Sequence, residues 1–269
     1  MATSRAVPYA TPLHRNVLKR IDGFFRAGVS VTLCKHVSTR PTRGKLSGGL
    51  MSKSGNLTIV LQAGGESRRM GRSKATVPFL GEPLIWRGIN RLLPLADEFI
   101  ITTNEPENLD FLDDLVELGK IRLVTDEYDQ RGALRGVYTA VNAASNEYVA
   151  LVACDMIFPS RNLISAELEA LMEEGADAAV PKTKHGYEPF HGVYRRSSCL
   201  PVIHEATEAG EAKANAWLDK IDVVEFDGQR VAEAEPRGGC FINVNTPEEL
   251  ADAQERILSG KIAEREEFE

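Results

Sequence analysis

Residues 61–74, Leu-Gln-Ala-Gly-Gly-Glu-Ser-Arg-Arg-Met-Gly-Arg-Ser-Lys, bring two adjacent glycines, two adjacent arginines and a lysine into one short stretch. These residue types suit a loop that holds phosphates. With no Cβ at Gly64 or Gly65, backbone N–H groups can face anionic oxygen directly. Arg68, Arg69 and Lys74 add cationic charge, which favours a polyphosphate over a neutral sugar or an apolar ligand. A nucleoside triphosphate is therefore the candidate substrate. Two other phosphate loops fail on spacing. A P-loop needs a lysine directly after its last glycine, whereas Gly71 is followed by Arg72. The dinucleotide fingerprint G-x-G-x-x-G cannot be drawn through Gly64, Gly65 and Gly71. An ordinary turn with solvated arginines is the plainer reading of one glycine pair; the concurrence of all these features weighs against it.

Such a loop needs a frame, and the chain supplies a β–α alternation from Leu57 onward. Leu57–Leu61, Phe99–Thr103, Ile121–Thr125 and Tyr148–Cys154 read as strands. Leu84–Leu93, Asn108–Leu118, Leu134–Ala144 and Leu163–Met172 read as helices between or after them. Ala178–Pro181, Gly192–Arg195 and Val223–Phe226 are later strands, and Thr246-Pro247-Glu248-Glu249 opens a last helix with Thr at its N-cap. The pattern predicts an α/β fold, a Rossmann-like, mostly parallel twisted sheet with helices on both faces. Tyr148–Cys154 is nearly all apolar, as a central strand covered on both faces requires. Ligands of such sheets sit beyond the carboxyl ends of the strands. The glycine loop, Asn104, Asp126 and Asp155 each follow a strand, so all four are expected at one crevice. Taken singly, Asp155 reads as a cap, Asn104 as a turn former and Cys154 as a small core residue; joint placement is what raises the first two.

Composition bounds the alternatives. At 269 residues, with 43% apolar and 26% charged residues, the chain is an ordinary globule that needs no staples. Cys34, Cys154, Cys199 and Cys240 form no C-x-x-C pair, and His185, His191 and His204 lack metal-ligand spacing and read as surface histidines. Nowhere do about 18 consecutive apolar residues occur, so a soluble, cytoplasmic protein without membrane contact is expected. Residues 1–55 carry ten Lys/Arg and one acid, Asp22, against 22 basic and 38 acidic residues in the remainder. The acidic body argues against a nucleic-acid partner. Residues 1–55 read as a disordered or weakly helical extension in preference to a transit peptide, with Met51 as the functional beginning. Residues 56–258 are the expected domain, and 259–269 a charged tail.

Four segments, taken in order, resemble the molybdenum cofactor guanylyltransferase (MobA) family. They are the 61–74 loop, Cys154-Asp155-Met156-Ile157-Phe158, Glu188-Pro189-Phe190-His191-Gly192-Val193-Tyr194, and Phe241-Ile242-Asn243-Val244-Asn245-Thr246-Pro247-Glu248-Glu249-Leu250. The resemblance covers about Leu57 to Ile257. It implies a GT-A-like nucleotidyltransferase fold and transfer of GMP from GTP to the phosphate of molybdenum-molybdopterin, giving a guanine dinucleotide cofactor and pyrophosphate. It also implies Mg²⁺, with transient contact to molybdoenzyme maturation proteins. By motif position Gln62, Ala63 and Gly64 would hold the guanosine part, Lys74 the phosphates, Gly65, Asn104 and Asp126 further nucleotide contacts, and Asp155 both nucleotide and Mg²⁺. Lys74, Arg69 and Asp155 are the expected catalytic residues.

Two departures from the family pattern stand out. Gly132-Ala133-Leu134-Arg135-Gly136 replaces the usual Gly-Pro-Leu-Ala-Gly, placing a cation near the pocket. Ile157 replaces the proline of Cys-Asp-x-Pro-Phe, which should loosen the loop beside Asp155. Glu188 and His191 are open between a substrate-facing and a packing or surface role. A transferase using CTP or another phosphorylated acceptor remains an alternative, disfavoured by Ala63-Gly64-Gly65 where cytidine-selecting relatives tend toward Ala-Ala-Gly. A nonenzymatic carrier of nucleotide or cofactor is the alternative of another class, disfavoured by Lys74 and Asp155.

Overall fold

A computed structural model describes residues 56–64, 73–126 and 132–259. The extension expected over 1–55, the tail beyond Ser259, and Gly65, Arg68 and Arg69 lie outside the described residues.

The strands are β1 (Leu57–Gln62), β2 (Pro78–Phe79), β3 (Glu82–Pro83), β4 (Glu98–Thr102), β5 (Arg122–Val124), β6 (Tyr148–Ala153), β7 (Ala178–Thr183), β8 (Gly186–Tyr187), β9 (His191–Arg195) and β10 (Val223–Phe226). The helices are α1 (Ile85–Leu92), α2 (Asp113–Glu117), α3 (Ala133–Ala143), α4 (Arg161–Glu174), α5 (Arg196–Glu208), α6 (Gly228–Ala234) and α7 (Pro247–Leu258). The main sheet runs β10-β7-β9-β6-β1-β4-β5, with β8 paired to β7. All neighbours from β6 to β5 are parallel, as are β10 and β7. β9 alone on this path is reversed, antiparallel to both β6 and β7.

The central strands are buried because both faces are covered. Val60, Ile100, Val149, Leu151 and Val180 pack on one face against Leu134, Val137 and Val141 of α3 and Cys199 and Ile203 of α5. On the other face α1 lies so close that a Cβ at Gly88 would come within 2.9 Å of both Leu61 methyls. That is the reason for a glycine mid-helix, where it otherwise costs about 1 kcal/mol. Ser160 caps α4, its hydroxyl accepting from Leu163 N at 3.2 Å; Gly175 ends that helix at φ +70°. Thr246 caps α7 as expected, accepting from Glu249 N at 3.2 Å. The Glu249 carboxylate, however, reaches one residue further back, to Asn245 N at 2.6 Å.

Register brings the strand ends level. Gln62 pairs with Thr102 on one side and Ala153 on the other, and Thr102 with Val124. The ladder continues one step beyond: Ala63 N donates to Thr102 O at 2.8 Å, Thr103 N to Val124 O at 2.9 Å, and Cys154 N to Gln62 O at 2.9 Å. The residues following four parallel strands are therefore presented along one edge.

Candidate active site

A cleft of about 580 Å³ opens at that edge. Gln62, Ala63 and Gly64 leave β1 into it, Asn104 enters after β4, Asp126 after β5 and Asp155 after β6. This is the switch point of the sheet, since β1 is bordered by β4 on one side and β6 on the other. Lys74 comes from the 3₁₀ turn Lys74–Thr76.

Two polar constellations fill the cleft. At one, Lys74 Nζ donates to Asp155 Oδ2 at 2.8 Å and to Asn245 Oδ1 at 2.7 Å, with the Lys74 and Asp155 side chains 21% and 20% exposed. At the other, Asn104 and Asp126 hold each other reciprocally: Asn104 Nδ2 donates to Asp126 Oδ2 at 2.8 Å, and Asp126 N donates to Asn104 Oδ1 at 3.2 Å. The floor between them includes Gln62 and Gly136. A Cβ at 136 would collide with Gln62 Nε2, so the glycine makes room for the carboxamide. Thr102 Oγ1, buried at this floor, has no hydrogen-bond partner among the described residues.

The segment from Asp155 to Ser160 is pinned from both sides. Ile157 N donates to Ile242 O at 3.2 Å, Val244 N donates to Asp155 O at 3.1 Å, and Met156 forms a β-bridge with Asn243. From α1, Arg87 Nε donates to Ile157 O at 3.0 Å and Arg91 Nε to Pro159 O at 2.8 Å. Arg87 also lies over the rings of Phe79 and Phe158. Ile157, expected to loosen this loop, is fully buried, and its main chain is bonded on both sides. Asp155 caps no helix, because Ser160 holds that position. Cys154 is buried and its thiol is pushed up by burial, as suits a core residue and not a nucleophile.

Arg135 stands beside the cleft, its Nη1 3.4 Å from where a Cβ on Gly132 would lie. Glu188 lines the cleft, its Oε1 accepting from Thr183 Oγ1 at 3.1 Å. His185 and His204 are exposed, but His191 is fully buried, which decides between the surface and packing readings left open for it in favour of packing. Its partner Glu167 left a signal in the sequence. Leu163, Ile164, Leu168 and Leu171 form the buried stripe of α4, and Glu167 interrupts it. Asn243 and Asn245 were not singled out from sequence. Their alternate positions in an extended segment are the pattern that would have put both on one side.

A mostly parallel sheet, with β9 reversed within its strand order, and a polar cleft at its carboxyl edge define the nucleotidyltransferase-like class. Residues 59–224 match the MobA-like NTP transferase domain family, more than half of the chain, and the chain belongs to that family. It is accordingly a nucleotidyltransferase. It is 33% identical over 208 residues to a molybdenum cofactor guanylyltransferase of Desulfosudis oleivorans, covering 77% of this chain and 98% of that one. Its fold is similar to that of molybdopterin-guanine dinucleotide biosynthesis protein A from Archaeoglobus fulgidus, with a TM-score of 0.64 at 23% identity, covering 76% of this chain and 99% of that one.

Proposed function

We propose that this protein transfers GMP from GTP to the phosphate of molybdenum-molybdopterin, forming molybdopterin guanine dinucleotide and pyrophosphate. The observation that carries the reading is the meeting of Lys74 and Asp155 in the cleft lined by Gln62, Ala63 and Gly64, with the Lys74 amine also bonded to Asn245. It sits in a chain similar along most of its length to a molybdenum cofactor guanylyltransferase. An oxygen of the acceptor phosphate forms a bond to the α-phosphorus of GTP. The bond from that phosphorus to the α–β bridging oxygen breaks, and its electron pair leaves with pyrophosphate. The nucleophile is already an anion, so positioning and charge stabilisation carry the rate. Gln62, Ala63 and Gly64 hold the guanosine, Gly65, Asn104 and Asp126 support the nucleotide, and Lys74 with Arg69 offsets charge on the transferred and leaving oxygens.

The donor set suits Mg²⁺. Among the described residues no group of three or more His, Cys, Asp or Glu is arranged for a metal. A hard cation that takes one or two carboxylates and completes its shell with water and phosphate needs no such group. Asp155 would hold it, and the bound ion supplies neutralising charge to the phosphates.

Incubating purified protein with Mg²⁺, molybdenum-molybdopterin and either GTP or CTP tests this reading by pyrophosphate release and dinucleotide formation. GTP-dependent product is the expected result. Turnover with CTP alone, or nucleotide binding without pyrophosphate, overturns it.

A further inference from the structure

Beneath the cleft, two titratable side chains that the transfer step does not use are enclosed together. His191 and Glu167 are both 0% exposed, with His191 Nδ1 3.4 Å from Glu167 Oε1. Among the described residues neither that nitrogen nor either Glu167 oxygen makes a hydrogen bond. Burying such groups without good partners costs stability, and an apolar pair of the same volume would serve the core better. The cost calls for a role.

The position of the imidazole supplies one. His191 begins β9, immediately after Glu188 and Phe190, which line the cleft. Its own N–H donates to Glu188 O at 3.0 Å, and Ala153 N donates to Phe190 O at 3.1 Å. Its ring Nε2 accepts from Ser160 N at 3.3 Å, and Ser160 ends the segment that starts at Asp155. Its ring also meets Phe241 edge-on, with centroids 5.6 Å apart at 70°, and Phe241 leads into Asn243 and Asn245. The imidazole thus touches the segments that carry Asp155 and the two asparagines, while the main chain of the same residue is bonded to Glu188. Ser160 is held from a second direction, its Oγ donating to Glu235 Oε2 at 2.8 Å.

We propose that His191 is a positioning residue that keeps these cleft walls in register, through the bond its Nε2 accepts from Ser160 N and the contact of its ring with Phe241. To accept from Ser160, Nε2 must carry a lone pair, so the ring proton belongs on Nδ1, which faces Glu167. A misplacement of about 1 Å among groups that align reactants can cost on the order of 100-fold in rate. A tie between Asp155 and the Asn243–Asn245 segment therefore bears on turnover without contact to substrate. The rate readout rests on the transferase reading above; the exchange readout does not.

The full-length protein is compared with His191→Leu, which lacks the acceptor, and His191→Gln, whose amide oxygen can take the place of Nε2. Hydrogen exchange is followed at the amides of Ile157, Ser160 and Val244, with β1 as the internal reference, alongside kcat and GTP affinity. In His191→Leu, exchange is expected to quicken in 155–160 and 241–245 while β1 stays protected. Its kcat should fall on the order of 10- to 100-fold with GTP affinity unchanged, and His191→Gln should restore both. Local exchange equal to wild type in His191→Leu, quickening that includes β1 to the same degree, or a Gln variant no better than Leu would each overturn the proposal. If wild type forms no dinucleotide, the proposed function fails while the exchange comparison still decides the role of His191.

Discussion

Lys74 Nζ and Asp155 Oδ2 lie 2.8 Å apart although 81 residues separate them in the chain. The same amine reaches Asn245, 171 residues away, at 2.7 Å. Lys74 thus joins the segment after the glycine loop to the ends of β6 and of the stretch preceding α7. With both side chains only about one-fifth exposed, the pair is largely withdrawn from water, and removing one partner leaves the other charge without its counter-charge. Its value lies in a cation held ready for phosphate. Lys74→Ala is expected to lower the unfolding midpoint, because the Asp155 carboxylate loses its counter-charge, and to lower GTP-dependent pyrophosphate release on the order of 100- to 1,000-fold, the usual cost of a lost charge-stabilising donor. Near-normal release would remove Lys74 from the reaction.

Gly136 offers a test of the nucleoside side. Alanine is favoured over glycine within a helix by about 1 kcal/mol, so α3 should persist in Gly136→Ala. The added Cβ nonetheless collides with Gln62 Nε2 and must displace that carboxamide from the cleft floor. Calorimetric titration is expected to show GTP affinity reduced about tenfold, equivalent to about 1.4 kcal/mol, with an unaltered helical signal. Unchanged affinity would mean that Gln62 does not contact the nucleotide.

The parts of this fold legible in the sequence were those whose residues feel the core directly. β1 and β6 read as strands because both faces are covered and nearly every residue is apolar. The convergence of Gly64, Asn104, Asp126 and Asp155 followed from parallel strands ending level. The direction of β9 was not legible, since no local pattern records which way a short strand enters a sheet. Helix α5 was hidden by its Arg-Ser-Ser opening and by Pro201 within it. The role of Asn245 is not legible because its partner is distant in sequence, and the choice between surface and packing for His191 stays open because a lone histidine carries no mark of burial.

Glu167 gives the stability a pH dependence of known sign. Burial first, opposed by the nearby His191, pushes its carboxyl up to about 7 from the ordinary 4.5. Between those values the folded protein holds a proton that the unfolded chain has released, so stability falls as pH rises through the window. The loss is about 3 kcal/mol at most. Urea unfolding of wild type and Glu167→Gln at pH 5 and pH 8 isolates this contribution, because the amide does not titrate. Wild type should lose stability relative to the variant on going to pH 8. A constant difference between the two would show that the carboxyl stays in one protonation state throughout.

Asn104 and Asp126 make a different kind of unit. Each uses its side chain to hold the other's segment, Asn104 Nδ2 to the Asp126 carboxylate and Asn104 Oδ1 to the Asp126 N–H, joining the ends of β4 and β5. Groups in direct contact couple, with interaction energies of about 0.5–3 kcal/mol, whereas distant ones add. Asn104→Ala and Asp126→Ala are each expected to weaken GTP binding, and the double variant to be scarcely weaker than the poorer single one. If the two losses sum in titrations of all four proteins, the residues meet the nucleotide independently and their mutual bonds are incidental. A non-additive cycle would instead mean that the pair presents one preformed surface to the nucleotide, with the Asn104 amide oriented by the carboxylate that accepts from it.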